Sequence, residues 1–389
     1  MDKIGIKYCG PVHDSSGYAQ FARNFINGLS KNTEVNLSVE AVSFENARPN
    51  LGPMEDLLKS LENKRSRYDL KILNVTPEML PRLVDADKKN VCFTMFETSR
   101  IPTVWVECLN RYTVACLVPC TWNKEVFRDS GVKVPIYVVP PGIDASYYSR
   151  IDKIEPTELS NLPNDCIAFY SVFQWTERKN PIGLIMSYLA AFDGVEDVYL
   201  VLKTYGADTS PVQQKRVRDM ILATKAQLNL KKAPKILFVG SLLSVEQMTG
   251  LHKRCDCFVL PHRAEGFGMP HLEAMACGKP VISTGFSGNM DFMTPENSYL
   301  LDYQMTIVCN MPWIKWYEAD MEWADPDLTQ LKKYMREVYR EMKITKSGKM
   351  LNTKTASLAR CGQKDVLERF NLEVTTDRLV KVCREINNA

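Results

Sequence analysis

A chain of 389 residues is long for a single hydrophobic core and comfortable for two domains. Its composition, 45% hydrophobic and 24% charged, is that of a folded globular protein and excludes a disordered or low-complexity chain. The net charge of +3, with Lys and Arg spread along the sequence, does not mark a nucleic-acid surface, and no apolar stretch approaches the roughly 20 residues of a membrane span.

In chain order, IGIKYCG (4–10) predicts a first strand, and Ser16 predicts a helix cap. The helix that follows has Phe21, Phe25 and Leu29 at helical spacing. KILNV (71–75), VCFTMF (91–96), ACLVP (115–119) and IYVVPPG (136–142) predict buried strands, each trailed by a loop or helix. That rhythm predicts a parallel sheet with helices on both faces. The polar stretch 151–165 predicts a linker. A second cycle has strands CIAFYSVF (166–173), VYLVLKTY (198–205), KILFVG (235–240), CFVLP (257–261) and PVIST (280–284), with helices at 181–192, 212–228 and 245–254. A charged helical stretch (325–350) and an amphipathic helix close the chain. The aromatic-rich stretch 313–323 reads as core packing. The expected domains are 1–155, 156–365 and a C-terminal helix, 366–389, packing near the interdomain region. The N-terminus lacks a signal-peptide pattern. The twelve cysteines, Cys255/Cys257 and Cys116/Cys120 included, lack zinc-site spacing, so reduced thiols in a cytoplasmic protein are expected.

The chemistry concentrates in CFVLPHRAEGFGMPHLEAMACGKPVIST (257–284). A strand runs into the loop Glu265, Gly266, Phe267, Gly268, Met269. Pro270 stands where a helix begins, and Gly278 where it ends. A glycine-rich loop on a helix N-terminus at the C-terminal edge of a parallel sheet suits a phosphate. Two carboxylates flank it: Glu265 before the loop and Glu273, expected in the first turn of the helix, with seven residues between them. Glu273 can accept hydrogen bonds from ribose hydroxyls, and Glu265 can sit beside a sugar carried on the diphosphate.

This complete pattern resembles the signature of the family-four retaining glycosyltransferases of the GT-B fold, the glycosyl transferases group 1: Glu, Gly-Phe-Gly, Pro, Glu with Ala-Met-Ala, and a Gly-x-Pro-Val-Ile close. PPGID (140–144), WTERKNP (175–181), FVGSLLSVEQMTGLHKRCDCFVLP (238–261) and SGNMDFM (287–293) are similar to other family segments in the expected order. The resemblance implies two Rossmann-like doubly wound domains facing a cleft, the first on the acceptor side and the second binding the nucleotide sugar, with a C-terminal helix crossing back. It implies a hexosyltransferase that moves a sugar from a nucleoside-diphosphate donor to an acceptor hydroxyl with retention of configuration. Lys179 matches the family's phosphate-binding Lys. The family's Arg position holds Phe173 here, and Arg178 either supplies that charge or is a surface residue. Gly17, in the first strand-to-helix loop, is either a donor contact or a turn residue, and His13 in the same loop reads as exposed. Where many members place a His after a middle strand of the first domain, this chain has Glu97. It either replaces that His or pairs with Arg100.

The expected catalytic residues are therefore Glu265, Lys179 and Glu97. The expected donor-binding residues are Gly17, Arg178, Lys179, Gly266, Phe267, Gly268, Met269 and Glu273. No metal or cofactor is expected: neither Asp85-Ala86-Asp87 nor Asp325-Pro326-Asp327 adjoins the glycine-rich loop. The donor base and the acceptor (a glycan, lipid-linked sugar, metabolite, protein or modified nucleobase) stay open. A sugar-nucleotide epimerase and a non-catalytic nucleotide-sugar-binding protein are the alternatives.

Overall fold

A computed structural model describes residues 3–44, 49, 51–145, 148, 154–348 and 352–389. The chain divides into two compact units, Met1–Ala145 with Glu368–Ala389, and Ser146–Leu367. Positions 151–153 of the expected linker lie outside the described residues. No helix among the described residues is long and apolar enough to cross a membrane.

The first unit is a six-stranded parallel sheet in the order β2-β1-β3-β4-β5-β6. The strands are β1 (Ile4–Gly10), β2 (Val35–Ala41), β3 (Leu70–Asn74), β4 (Lys89–Phe93), β5 (Ala115–Val118) and β6 (Ile136–Val138). Helices α1 (Gly17–Lys31), α2 (Pro53–Glu62), α3 (Leu80–Leu83), α4 (Thr103–Tyr112) and α5 (Thr121–Asp129) connect them. Strands covered on both faces need no polar alternation, and β3 and β5 are buried along their whole length. Ser16 caps α1, its side chain accepting the Ala19 N–H at 3.2 Å. Phe21 and Phe25 of α1 pack on Phe93 with ring centroids 6.0 and 5.2 Å apart. Each such buried ring removes apolar surface worth about 1.5–3 kcal/mol.

The second unit holds β7 (Ile167–Gln174), β8 (Val198–Tyr205), β9 (Lys235–Val239), β10 (Cys257–Leu260), β11 (Val281–Thr284) and β12 (Tyr299–Leu301). All are parallel, in the order β12-β11-β10-β7-β8-β9. Its helices are α6 (Pro181–Ala191), α7 (Pro211–Ala226), α8 (Val245–Arg254), α9 (Met269–Ala276), α10 (Leu328–Lys346) and, as far as Leu367, α11 (Lys354–Arg369). Counted from β7, the order is 3-2-1-4-5-6, the Rossmann arrangement, and the order reverses between β7 and β10. A short antiparallel hairpin, β13 (Tyr303–Ile307) with β14 (Glu322–Pro326), precedes α10. Asp327 caps α10, accepting from Thr329 and Gln330 at 2.8 and 3.0 Å. The aromatic-rich stretch splits: Trp323 is fully buried, whereas Trp313 is 64% exposed. Packing therefore claims only its C-terminal end.

The closing helix α12 (Leu372–Asn388) belongs to the first unit. The Lys89 ammonium donates to the Ile386 and Asn387 carbonyls at 3.1 and 2.9 Å. A cation there also offsets the negative end of the helix dipole.

Candidate active site

In an open parallel sheet, the loops after the two strands that flank the order reversal splay apart and leave a crevice at the C-terminal edge. Here those are the loops after β7 and β10. The first carries Trp175 to Asn180 and the second runs from Pro261 to Gly268. The backbone stitches them together: the Arg263 N–H donates to the Arg178 carbonyl at 2.7 Å, and the Arg178 guanidinium returns a bond to the Ala264 carbonyl at 3.0 Å. Arg263 also pairs with Glu177 at 3.2 Å.

That stitching delivers Lys179 and Glu265 to one another. The Lys179 ammonium donates directly to the Glu265 carboxylate, with Arg178 3.8 Å from the same carboxylate. Lys179 is 9% exposed and Glu265 4%. Burial alone would raise the carboxyl pKa, but the Lys179 and Arg178 cations more than offset it. Glu265 is held well below the usual carboxylate range and stays ionised. Lys179 is thus no solvated helix-start lysine, and Arg178 is no free surface residue.

The loop's shape follows from its glycines and from its brace. Gly268 has φ of +98° and directly precedes α9, so it opens the helix without offering a capping side chain. The Glu265 N–H donates to the Ser287 hydroxyl at 2.8 Å, and the Gly288 N–H donates to the Glu265 carbonyl at 3.0 Å. A β-carbon on Gly288 would stand 2.3 Å from the Gly266 carbonyl oxygen, so only glycine lets the turn 287–291 press against the loop. Phe267 is buried against Phe292, with ring centroids 5.2 Å apart, and Met269 is 8% exposed. At Phe267 the backbone, not the ring, is what a ligand at the loop would meet.

Glu273 falls elsewhere. Because α9 begins at Met269, Glu273 is its fifth residue and lies in the second turn, not in the first turn that the sequence predicts. The left-handed Gly268 starts the helix at Met269, one residue before Pro270, which puts Glu273 one position later, just past the first turn. Its oxygen lies 3.5 Å from Nε2 of the buried His252, whose Nδ1 meets the Tyr170 hydroxyl at 2.8 Å.

Two residues that the sequence does not single out stand beside the Lys179–Glu265 pair. His262 and His271 are both fully buried, with rings 5.4 Å apart and nearly perpendicular. His271 Nε2 meets the Ser283 hydroxyl at 2.8 Å. Burial pushes the His271 pKa down to about 4 and holds that of His262 well below its ordinary value, so both are neutral at pH 7. The chain has only four histidines, and two of them flank the glycine-rich loop, which was the available signal.

The other two candidates lie on the first unit. Gly17 is the exposed first residue of α1, with nothing within 4 Å of the position a β-carbon would take. Glu97 is half-buried in the loop after β4. Tyr18 joins these two segments, its hydroxyl meeting Thr94 Oγ1 at 3.0 Å and the Met95 carbonyl at 3.3 Å. His13 pairs with Glu62 at 2.6 Å. Of the acidic pairs, Asp85 accepts from Tyr68 at 2.6 Å and contacts the buried Lys71, and Asp325 pairs with Arg263.

Residues 213–303 match the family described as Glycosyl transferases group 1. The chain is similar to the lipopolysaccharide core biosynthesis mannosyltransferase LpsB of Rhizobium meliloti, with 29% identity over 63% of this chain and 70% of that protein. It is 44% identical to an uncharacterized glycosyltransferase of Methanocaldococcus jannaschii over 45 residues, which span 12% of this chain and 13% of that one. Among solved structures, Anabaena HepE in complex with UDP and glucose superposes with a TM-score of 0.66 at 16% identity, covering 98% of this chain and 100% of that one. Sucrose-phosphate synthase from Thermosynechococcus elongatus superposes with a TM-score of 0.67 at 15% identity, covering 99% of each chain. These likenesses establish the two-sheet α/β GT-B fold.

Proposed function

We propose that this chain is a group 1 glycosyl transferase that moves a hexose from a nucleoside-diphosphate sugar to an acceptor hydroxyl and retains the anomeric configuration. The observation that carries the reading is the Lys179–Glu265 pair at the order reversal of a Rossmann-ordered sheet, beside a helix start without a side-chain cap.

In such a transfer, the bond between the anomeric carbon and the diphosphate oxygen breaks. The diphosphate gains negative charge and the sugar becomes oxocarbenium-like. Lys179, Arg178 and the N-terminal end of α9 supply fixed positive potential for the leaving group, which needs no reorganisation at the moment of reaction. Glu265, ionised and buried, orients the sugar and stabilises its developing positive charge. Glu273 is assigned to the ribose, Gly17 to the donor phosphates, and Glu97 to the sugar or acceptor. Lys179, Arg178 and the start of α9 already supply positive charge for the leaving group, so the reading includes no divalent cation.

HepE is bound to UDP and to UDP-glucose in two solved structures. UDP-sugars are accordingly the first donors to test, followed by GDP- and ADP-sugars. Product formation is read by mass spectrometry, and the anomeric configuration by proton NMR. Glu265→Gln should lower turnover far more than affinity for free UDP, which lacks the sugar. An inverted product would overturn retention. Equal loss of turnover and UDP affinity would remove Glu265 from the sugar.

A further inference from the structure

We propose that His262 is a positioning residue for Glu265, donating a ring N–H to its carboxylate when Lys179 turns from that carboxylate to the donor diphosphate. The proposal rests on the donor reading above.

Lys179 has two claims on it. Its ammonium is bonded to Glu265, and the leaving diphosphate needs the same charge. Once it moves, Glu265 keeps Arg178 at 3.8 Å, but that guanidinium already donates to the Ala264 carbonyl. A carboxylate this buried cannot be left short of donors without a cost.

His262 is the neighbouring group with a donor to spare. It is fully buried, and neither Nδ1 nor Nε2 has a hydrogen-bond partner among the described residues. A neutral imidazole always carries one N–H, and leaving it unmade inside a protein is expensive, so the orphan calls for an explanation. Its main chain is fixed, since the Thr284 hydroxyl donates to its carbonyl at 2.5 Å, and it lies within electrostatic reach of Glu265.

Each of the other two imidazoles of this unit already has a hydrogen-bond partner at one ring nitrogen. The Ser283 hydroxyl gives its proton to the Leu260 carbonyl at 2.9 Å, so it accepts from His271 Nε2–H, and His271 Nδ1 is left with a lone pair. His252 stands with Tyr170 and Glu273. A neutral donor also suits the task chemically. It satisfies Glu265 without adding a cation that competes with Lys179 for the phosphate, and full burial keeps His262 neutral.

The test uses the full chain labelled with 15N-histidine, its four imidazoles read by NMR and assigned by single His→Gln variants. In Lys179→Met without nucleotide, the His262 ring nitrogens should shift to those of a hydrogen-bonded donor while His271 stays unmoved. UDP or GDP added to the wild type should produce the same shift. His262→Leu should lower kcat about 10- to 100-fold with the donor KM within about threefold, and His262→Gln, which restores an N–H, should recover to within about fivefold of wild type. A His262 signal unchanged in Lys179→Met, or His262→Leu turning over like the wild type, overturns the proposal. A wild type that neither binds UDP or GDP nor turns over their sugars retires the donor reading instead, and the nucleotide-free Lys179→Met spectrum still decides the exchange at Glu265.

Discussion

Lys179→Met removes the cation from a carboxylate that is only 4% exposed. Breaking a buried pair from one side costs about 3–5 kcal/mol, because the remaining charge is left in a poorly solvating interior. Arg178 remains at 3.8 Å and offsets part of that, so about 2–4 kcal/mol of destabilisation is expected. Glu265→Leu takes the carboxylate from the buried Lys179 and should likewise destabilise. The double variant Lys179→Met, Glu265→Leu buries neither charge, and should be more stable than the two single losses added together predict, by at least about 1 kcal/mol. Urea unfolding followed by tryptophan fluorescence measures this, with Trp175 in the same loop as Lys179 as a local probe. At a slope of about 2 kcal/mol per molar urea, each single variant should lower the midpoint by roughly 1–2 M. Single losses that add to within about 0.5 kcal/mol would refute the reasoning, since independent sites behave that way and a coupled buried pair does not.

Stability should also depend on pH through the buried imidazoles. The folded-state pKa of His271 is pushed down to about 4, against an ordinary value of 6.5, so the unfolded chain takes up the proton first as pH falls. Unfolding free energy should therefore be flat above about pH 6.5 and fall by about 3 kcal/mol toward pH 4, a decline that His271→Gln should lessen; a urea midpoint constant from pH 7 to 5 would contradict this. Glu273→Ala should weaken UDP-sugar binding by about 1–3 kcal/mol by calorimetry, the cost of ribose hydroxyls left without their acceptor, and unchanged affinity in the folded variant would assign Glu273 to His252 alone. Activity should survive excess EDTA, and its loss with rescue by manganese or magnesium would show that a cation shares the leaving-group charge with Lys179 and Arg178.

The sequence by itself determined the alternation of buried strands and amphipathic helices, because a strand covered on both faces must be apolar throughout and a surface helix must repeat every three to four residues. Val198–Tyr205 and Val245–Arg254 coincide with β8 and α8 for that reason. Strand β2 (Val35–Ala41) carries Asn36, Ser38 and Glu40 among its apolar residues and did not stand out. The three-residue β12 and the hairpin of β13 and β14, exposed on much of one face, were too short and too polar to register. The glycine-rich loop, its helix and Lys179 were legible because a phosphate-facing helix start imposes residue types at fixed spacing. Only the tertiary structure decided what those residues touch. Strand order brought the loops after β7 and β10 together, and that joined Lys179 to Glu265 across a sequence gap no local pattern spans. The left-handed backbone at Gly268 set the helix start, and with it the turn in which Glu273 lies. Burial, which belongs to the assembled unit and not to any segment of it, made His262 and His271 neutral and left His262 without a partner among the described residues.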